Sequence, residues 1–266
     1  MSAPRVGQHH YWTLSHRQCA GTIRSARERY TSVAPTHAGH SEIVCLTTPD
    51  DAFAPDLAIT WLDEAADALA REGWWCGDQA VPDDLVIALR EEMQALVEAD
   101  ALERAGVGRE TDYQIDGSVR RDRILWLDRR RPAPGRFLDL AERLRQALNR
   151  RLFLGLFEYE AHFAHYPPGA FYRRHVDSFR GAANRVLSTV VYLNTDWQHG
   201  DGGELVLYAE EEEGVLAQIA PQAGRLVIFL SEEIPHEVLP ARRDRYSIAG
   251  WYRLNASVHG QIDPPR

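Results

Sequence analysis

From Leu152 onward the chain is divided into short β-rich segments bounded by Gly, Pro, Asn or Asp, and this punctuation limits the fold more than any other feature. The segments 156–166, 172–177, 186–194, 204–209, 215–220, 225–230, 236–239 and 245–253 have the lengths and spacing of strands in a sandwich or barrel. Amphipathic runs precede them. Leu57, Trp61, Ala65 and Ala68/Leu69 recur at helical spacing up to Gly73, and Leu85, Leu89, Met93 and Leu96/Val97 follow Pro82 in the same way. Phe137, Leu140, Leu144 and Leu148 form a third run, with Pro132 and Pro134 expected to break the chain before it. Trp74-Trp75 between the first two runs reads as a short apolar stretch. Helices first and strands afterwards predict an α+β protein in which helices buttress a β core.

A chain of 266 residues suits one domain of about 200 residues plus extensions. Residues 1–50 carry five of the 11 histidines but no sustained apolar period, and His9, His10, His16, His37 and His40 lack helical ligand spacing. We expect a solvated tail there, or a start codon assigned too early. The domain is drawn at 51–266, with helical support over 51–151 and the β core over 152–256. The run Glu210 to Glu213 reads as a solvated hairpin tip. Cys19, Cys45 and Cys76 are odd in number and widely spaced, which argues against a disulfide framework and a thiolate zinc site. A net charge of −9 argues against a sequence-independent grip on nucleic acid. No stretch approaches the roughly 18 apolar residues of a membrane span, and no secretory pattern opens the chain. A cytoplasmic protein with neither membrane nor nucleic-acid partner is the expectation.

The chemistry concentrates in the β region. In a strand, residues i and i+2 share a face, so His175 and Asp177 in Arg174-His175-Val176-Asp177 can converge on one point. His236, in Pro235-His236-Glu237-Val238, is a candidate third ligand. Two imidazoles and a carboxylate make the facial triad of non-haem Fe(II) oxygenases, which leaves coordination positions open. Alone, a His-x-Asp is more commonly a surface hydrogen bond. Further on, Arg245, Ser247, Ala249 and Trp251 alternate onto one face of a strand, and a guanidinium there can hold a carboxylate through two hydrogen bonds. The bland alternative for Arg245 is a surface salt bridge.

Taken in order, Ala164-His165-Tyr166-Pro167-Pro168-Gly169, Arg174-His175-Val176-Asp177, Tyr192-Leu193-Asn194-Thr195-Asp196-Trp197, Gly202-Gly203-Glu204-Leu205, Pro235-His236-Glu237-Val238 and Arg245-Tyr246-Ser247-Ile248 resemble the prolyl-4-hydroxylase superfamily, closest to its HIF-prolyl-hydroxylase (SM-20-like) branch. The resemblance covers most of the last 110 residues. It implies a double-stranded β-helix, or jelly roll, with Fe(II) held by His175, Asp177 and His236, and 2-oxoglutarate and O2 as cosubstrates. It places Arg245 on the distal carboxylate of 2-oxoglutarate, helped by Tyr192, with Ser247 beside it. Tyr166 matches another tyrosine of the pocket, although the loop from there to His175 is one residue shorter than in that branch. Trp251 lines the pocket by the same carry-over, or is an ordinary core aromatic. Arg120, Asp122 and Arg185 match substrate-contacting positions; a structural salt bridge is the alternative for the first two. Ascorbate is a further cofactor of the family.

The reaction so implied is hydroxylation of a prolyl residue in a protein or peptide, with succinate and CO2 as coproducts. Two alternatives remain: the same chemistry on a free amino acid or other small molecule, or a non-catalytic jelly-roll module that binds metal as a sensor.

Overall fold

The computed structural model describes residues 60–106, 116–178, 184–209 and 214–254, and the backbone of two short strands beyond them, β12 (Ser257–Val258) and β13 (Gln261–Ile262). The expectations for residues 1–50 and for Glu210 to Glu213 lie outside the described residues.

The first helix, α1 (Leu62–Glu72), buries Leu62, Ala65, Ala66, Ala68 and Leu69 and stops where Gly73 turns left-handed at φ 77°, its N–H donating to the Leu69 carbonyl. The chain then enters β1 (Trp74–Gly77), so the Trp-Trp stretch is an edge strand of the main sheet. Helix α2 (Asp83–Glu98) starts behind Pro82 and buries Leu85, Val86, Leu89, Met93 and Leu96. Two short strands, β2 (Glu103–Arg104) and β3 (Arg123–Trp126), precede helix α3 (Pro132–Leu152). Pro132 and Pro134 do not break the chain ahead of this helix; they lie inside its first turn, where the missing N–H groups would have had no helical partner.

The remaining strands follow closely the segments read from sequence: β4 (Glu158–Tyr166), β5 (Tyr172–His175), β6 (Arg185–Tyr192), β7 (Leu205–Tyr208), β8 (Val215–Ile219), β9 (Leu226–Leu230), β10 (His236–Val238) and β11 (Arg245–Arg253). They form a seven-stranded antiparallel sheet in the order β1-β9-β6-β11-β4-β3-β2 and a four-stranded one in the order β5-β10-β7-β8. This is the α+β jelly roll that was expected, although β1 to β3 come from the stretch read as helical.

Alternation along the strands separates two cores. On one face of the large sheet, Phe163, Leu187, Val191, Ile228, Ile248 and Tyr252 pack against α1, α2 and α3. On the other face, Ala164, Tyr166, Tyr192, Val227 and Phe229 meet Leu205, Leu207, Ile219 and Val238 of the small sheet. The helix side is tight: Tyr252 donates its hydroxyl to the Ala141 carbonyl of α3, and the ring of Tyr159 leaves no room at Gly250, where a Cβ would lie 2.2 Å from its oxygen. The helices thus hold the large sheet from behind and leave its inner face, between the sheets, to carry polar groups.

Candidate active site

His175 closes β5 and His236 opens β10, and the two are register partners across the small sheet. Their ring centroids lie 4.2 Å apart. The strand expected over 172–177 ends at His175, so Asp177 reaches the same place from irregular chain beyond it. One oxygen of Asp177 lies 3.5 Å from His175 Nε2 and the other 3.6 Å from His236 Nε2. The three candidate ligand atoms lie within 4.8 Å of one another.

The histidines are oriented by the backbone. Nδ1 of His175 is 2.8 Å from the Arg173 carbonyl and Nδ1 of His236 is 3.0 Å from the Ile234 carbonyl. A carbonyl can only accept, so each Nδ1 carries the proton and each Nε2 presents a lone pair toward Asp177. Tyr172 stacks on the His175 ring at 3.6 Å, and Phe229 meets His236 at 4.6 Å. Burial, with His175 beside it, pushes the His236 imidazole down to about 4, so it is neutral at physiological pH. Burial opposes ionisation of Asp177, but the His236 and His175 rings and the Ser188 hydroxyl outweigh it and hold the carboxyl well below its ordinary range.

Along β11, Arg245, Ser247 and Trp251 face inward as the alternation predicted. Arg245 is 1% exposed. Its Nε donates to the Gly203 carbonyl at 2.8 Å and Nη1 donates to Ser247 Oγ at 3.1 Å, while its guanidinium lies 4.8 Å from the Tyr166 ring centre and 5.1 Å from that of Tyr192. Gly203 must be glycine here: its φ is 71°, and a Cβ would sit 3.1 Å from Arg245 Cδ. Among the described residues Arg245 makes no ion pair, and two buried polar atoms beside each other, Arg245 Nη2 and Tyr192 Oη, have no hydrogen-bond partner. Burial pushes the Tyr192 phenol up to about 12, so it stays a donor. An unmatched guanidinium nitrogen beside an unmatched phenol is the complement of a carboxylate.

The remaining sequence-derived candidates lie toward the metal end. Trp251 pairs with Ser188 across β11 and β6, its indole nitrogen buried and unpartnered, with Arg185 stacked on it at 3.7 Å. Arg185 is held by Glu160 through Nε and Nη2 at 3.0 and 2.7 Å. Arg120 and Asp122 form a two-point ion pair with each other at 2.7 and 2.5 Å, the Asp122 side chain fully buried. Their segment runs beside the metal end, since Arg120 bridges to Tyr172 and stacks 4.3 Å above its ring.

Sequence reasoning missed several residues. Tyr172, the Gly203 carbonyl and buried His162, which sits 5.4 Å from the Trp251 ring, each touch a candidate residue. Ser188 donates to Asp177 at 2.6 Å and contacts Ser231 at 2.9 Å. Ser188 was accessible in principle, lying four residues before Tyr192 and hence on the same strand face; nothing in the sequence singles out Ser231.

The sequence pattern of the 2OG-Fe(II) oxygenase superfamily matches residues 161–253. A Pseudomonas putida prolyl-4-hydroxylase of known structure is 43% identical, with a TM-score of 0.67, over 73% of this chain and 99% of that one. The chain belongs to the 2OG-Fe(II) oxygenase superfamily. Within it, a Trichoplax adhaerens prolyl hydroxylase solved with a hypoxia-inducible-factor peptide is 25% identical, with a TM-score of 0.66, over 73% of this chain and 90% of that one. Human Egl nine homolog 1 is 32% identical over 155 residues, 55% of this chain but 35% of its own length, so the chain spans about a third of that curated relative. The groups named by the superfamily fit this chain: a two-histidine, one-carboxylate set suits Fe(II), and the unmatched Arg245 and Tyr192 donors suit the far carboxylate of 2-oxoglutarate. Among the described residues no helix is long and apolar enough to cross a membrane.

Proposed function

We propose that residues 51–266 form a Fe(II)- and 2-oxoglutarate-dependent dioxygenase that hydroxylates a prolyl residue of a protein or peptide, releasing succinate and CO2. The observation that carries the proposal is the pair of unmatched buried donors, Arg245 Nη2 and Tyr192 Oη, on the same inner sheet face that carries Ser188 at the His175–Asp177–His236 cluster. Ser188 and Tyr192 are four residues apart on β6, or about 13 Å along the strand, so both ends of a chelating dicarboxylate have protein groups waiting.

When bound, the iron and the oxo acid together activate O2, placing one oxygen atom in succinate and the other on a substrate carbon. Everything else is done by side chains. His175 and His236 present Nε2, fixed by their Nδ1–H bonds to backbone, and Asp177 supplies the one anionic ligand. Arg245, locked by Gly203 and Ser247, orients the cosubstrate with Tyr192, and the rings of Tyr166 and Tyr192 keep water from that end. Trp251, Arg185 and the Arg120–Asp122 pair are the proposed substrate side, with Trp126 half exposed beside Trp251. A protein target is favoured by the relatives, whose names describe prolyl hydroxylases, one of them solved with a peptide. The proposal extends to stimulation by ascorbate and to action in the cytoplasm.

The test is to incubate iron-loaded protein with 2-oxoglutarate, air and a library of proline-containing peptides, following succinate and peptide mass. Coupled succinate and a single added oxygen on proline are expected. Turnover only with free amino acids would move the substrate to small molecules, and no succinate with any substrate would leave a binding module.

A further inference from the structure

The carboxylate of Asp177 is held by one serine that is backed by a second, and the proposed reaction does not otherwise use either. Ser188 Oγ donates to Asp177 Oδ2 at 2.6 Å, and Ser231 Oγ lies 2.9 Å from Ser188 Oγ. Both residues are buried, 1% and 0% exposed. A carboxylate only accepts, so the single Ser188 proton goes to Asp177, and the contact between the serines must run with Ser231 donating. The direction of the chain is thereby fixed: Ser231 to Ser188 to Asp177.

The mounting of the three residues differs. Ser188 sits mid-strand in β6, paired with Phe229 on one side and Trp251 on the other. Ser231 follows β9 directly and donates its backbone N–H to the Val186 carbonyl at 3.0 Å. Asp177, by contrast, lies beyond the end of β5 without a strand partner. The rigid large sheet therefore holds the least constrained member of the cluster, whereas the two histidines are oriented by carbonyls of their own strands' surroundings.

We propose that Ser188, backed by Ser231, is a positioning residue that ties Asp177 Oδ2 to the large sheet and leaves Oδ1 as the oxygen presented to a metal. The inference rests on the metal-centre reading above and deepens it. The Ser188 hydroxyl occupies a lone pair of Oδ2, which leaves Oδ1 the freer oxygen for a metal. Holding the carboxylate to one-oxygen ligation keeps one more coordination position open, which a centre that must accept a chelating cosubstrate and a further reactant needs. Outer partners of this kind change metal affinity by about 10- to 100-fold when removed.

The experiment titrates Co(II), without air or cosubstrate, into metal-free wild type, Ser188→Ala, Ser188→Thr and Ser231→Ala, following the visible absorption of the bound ion. Ser188→Ala is expected to bind about 10- to 100-fold more weakly with an altered band envelope, Ser188→Thr to return toward wild type because it keeps the hydroxyl, and Ser231→Ala to fall between. Wild-type affinity and spectrum in Ser188→Ala would overturn the proposal, as would a Ser188→Thr variant as weak as Ser188→Ala. Should Ser188→Ala fail to fold, an unaltered Ser231→Ala would overturn it instead. A wild type that binds no Co(II) would sink the metal-centre reading itself; a wild type that binds while the variants match it would sink only the role of the serines.

Discussion

Replacing Arg245 separates two roles that a buried guanidinium can have. The side chain is 1% exposed, its neighbours Gly203 O and Ser247 Oγ are neutral, and among the described residues no carboxylate lies within ion-pair distance. A charge buried without a counter-ion costs stability, so the protein without cosubstrate should gain little from it. Arg245→Met, close in volume, is therefore expected to leave the stability of the cosubstrate-free protein unchanged or to raise it. Binding should respond in the opposite direction. Truncating a buried charged partner costs about 2–5 kcal/mol, which is about 30- to 4,000-fold in affinity at 1.4 kcal/mol per decade. Calorimetric titration of 2-oxoglutarate into anaerobic Mn(II)-loaded protein measures this directly. Thermal unfolding gives a second reading: at 100 times its Kd, cosubstrate should stabilise wild type by about 2.7 kcal/mol and the variant at the same concentration far less. Wild-type affinity in Arg245→Met, together with a loss of several kcal/mol of stability, would refute the reasoning and make the arginine structural.

Tyr192→Phe removes one unmatched donor and should weaken 2-oxoglutarate by about 1.5–3 kcal/mol in the same titration, leaving Mn(II) affinity unchanged. His162 is buried, and burial with the Arg120 charge pushes it down to about 4 from 6.5. A depressed pKa gives stability that is complete above pH 6.5 and drains away as pH falls through 4, here about 3 kcal/mol. Urea unfolding of metal-free His162→Gln across that window should show a correspondingly shallower loss than wild type; identical slopes would refute it. Gly250→Ala forces a Cβ to 2.2 Å from Tyr159 Oη and threatens that hydroxyl's bond to Thr189. Destabilisation of about 2–4 kcal/mol is expected by denaturant unfolding, and Tyr159→Phe in the same chain should recover part of it.

The most legible features of the sequence were those with a period or a fixed partner. The eight β segments emerged because turn residues bound them on both sides, and the inner face of β11 followed from alternation once Arg245 was in view. His175, Asp177 and His236 could be named but not joined by spacing alone, since β5 stops at His175 and Asp177 arrives on irregular chain. β1 escaped because four residues, Trp74–Gly77, carry no readable alternation, and it exists through pairing with β9. The prolines ahead of α3 misled for a related reason: helix-breaking is positional, and a first turn tolerates both. Polar residues whose role is to hold another side chain were the least legible. Gly203 acts through its carbonyl, and Ser231 acquires meaning only when β6 and β9 lie side by side.

One divalent metal and 2-oxoglutarate are expected to occupy this site together. Fe(II) and 2-oxoglutarate added to metal-free protein without oxygen should produce a weak visible charge-transfer band that neither gives alone, and His175→Ala or Asp177→Ala should abolish it. A spectrum that stays blank in wild type, or a band that survives both substitutions, would contradict the assignment of the site.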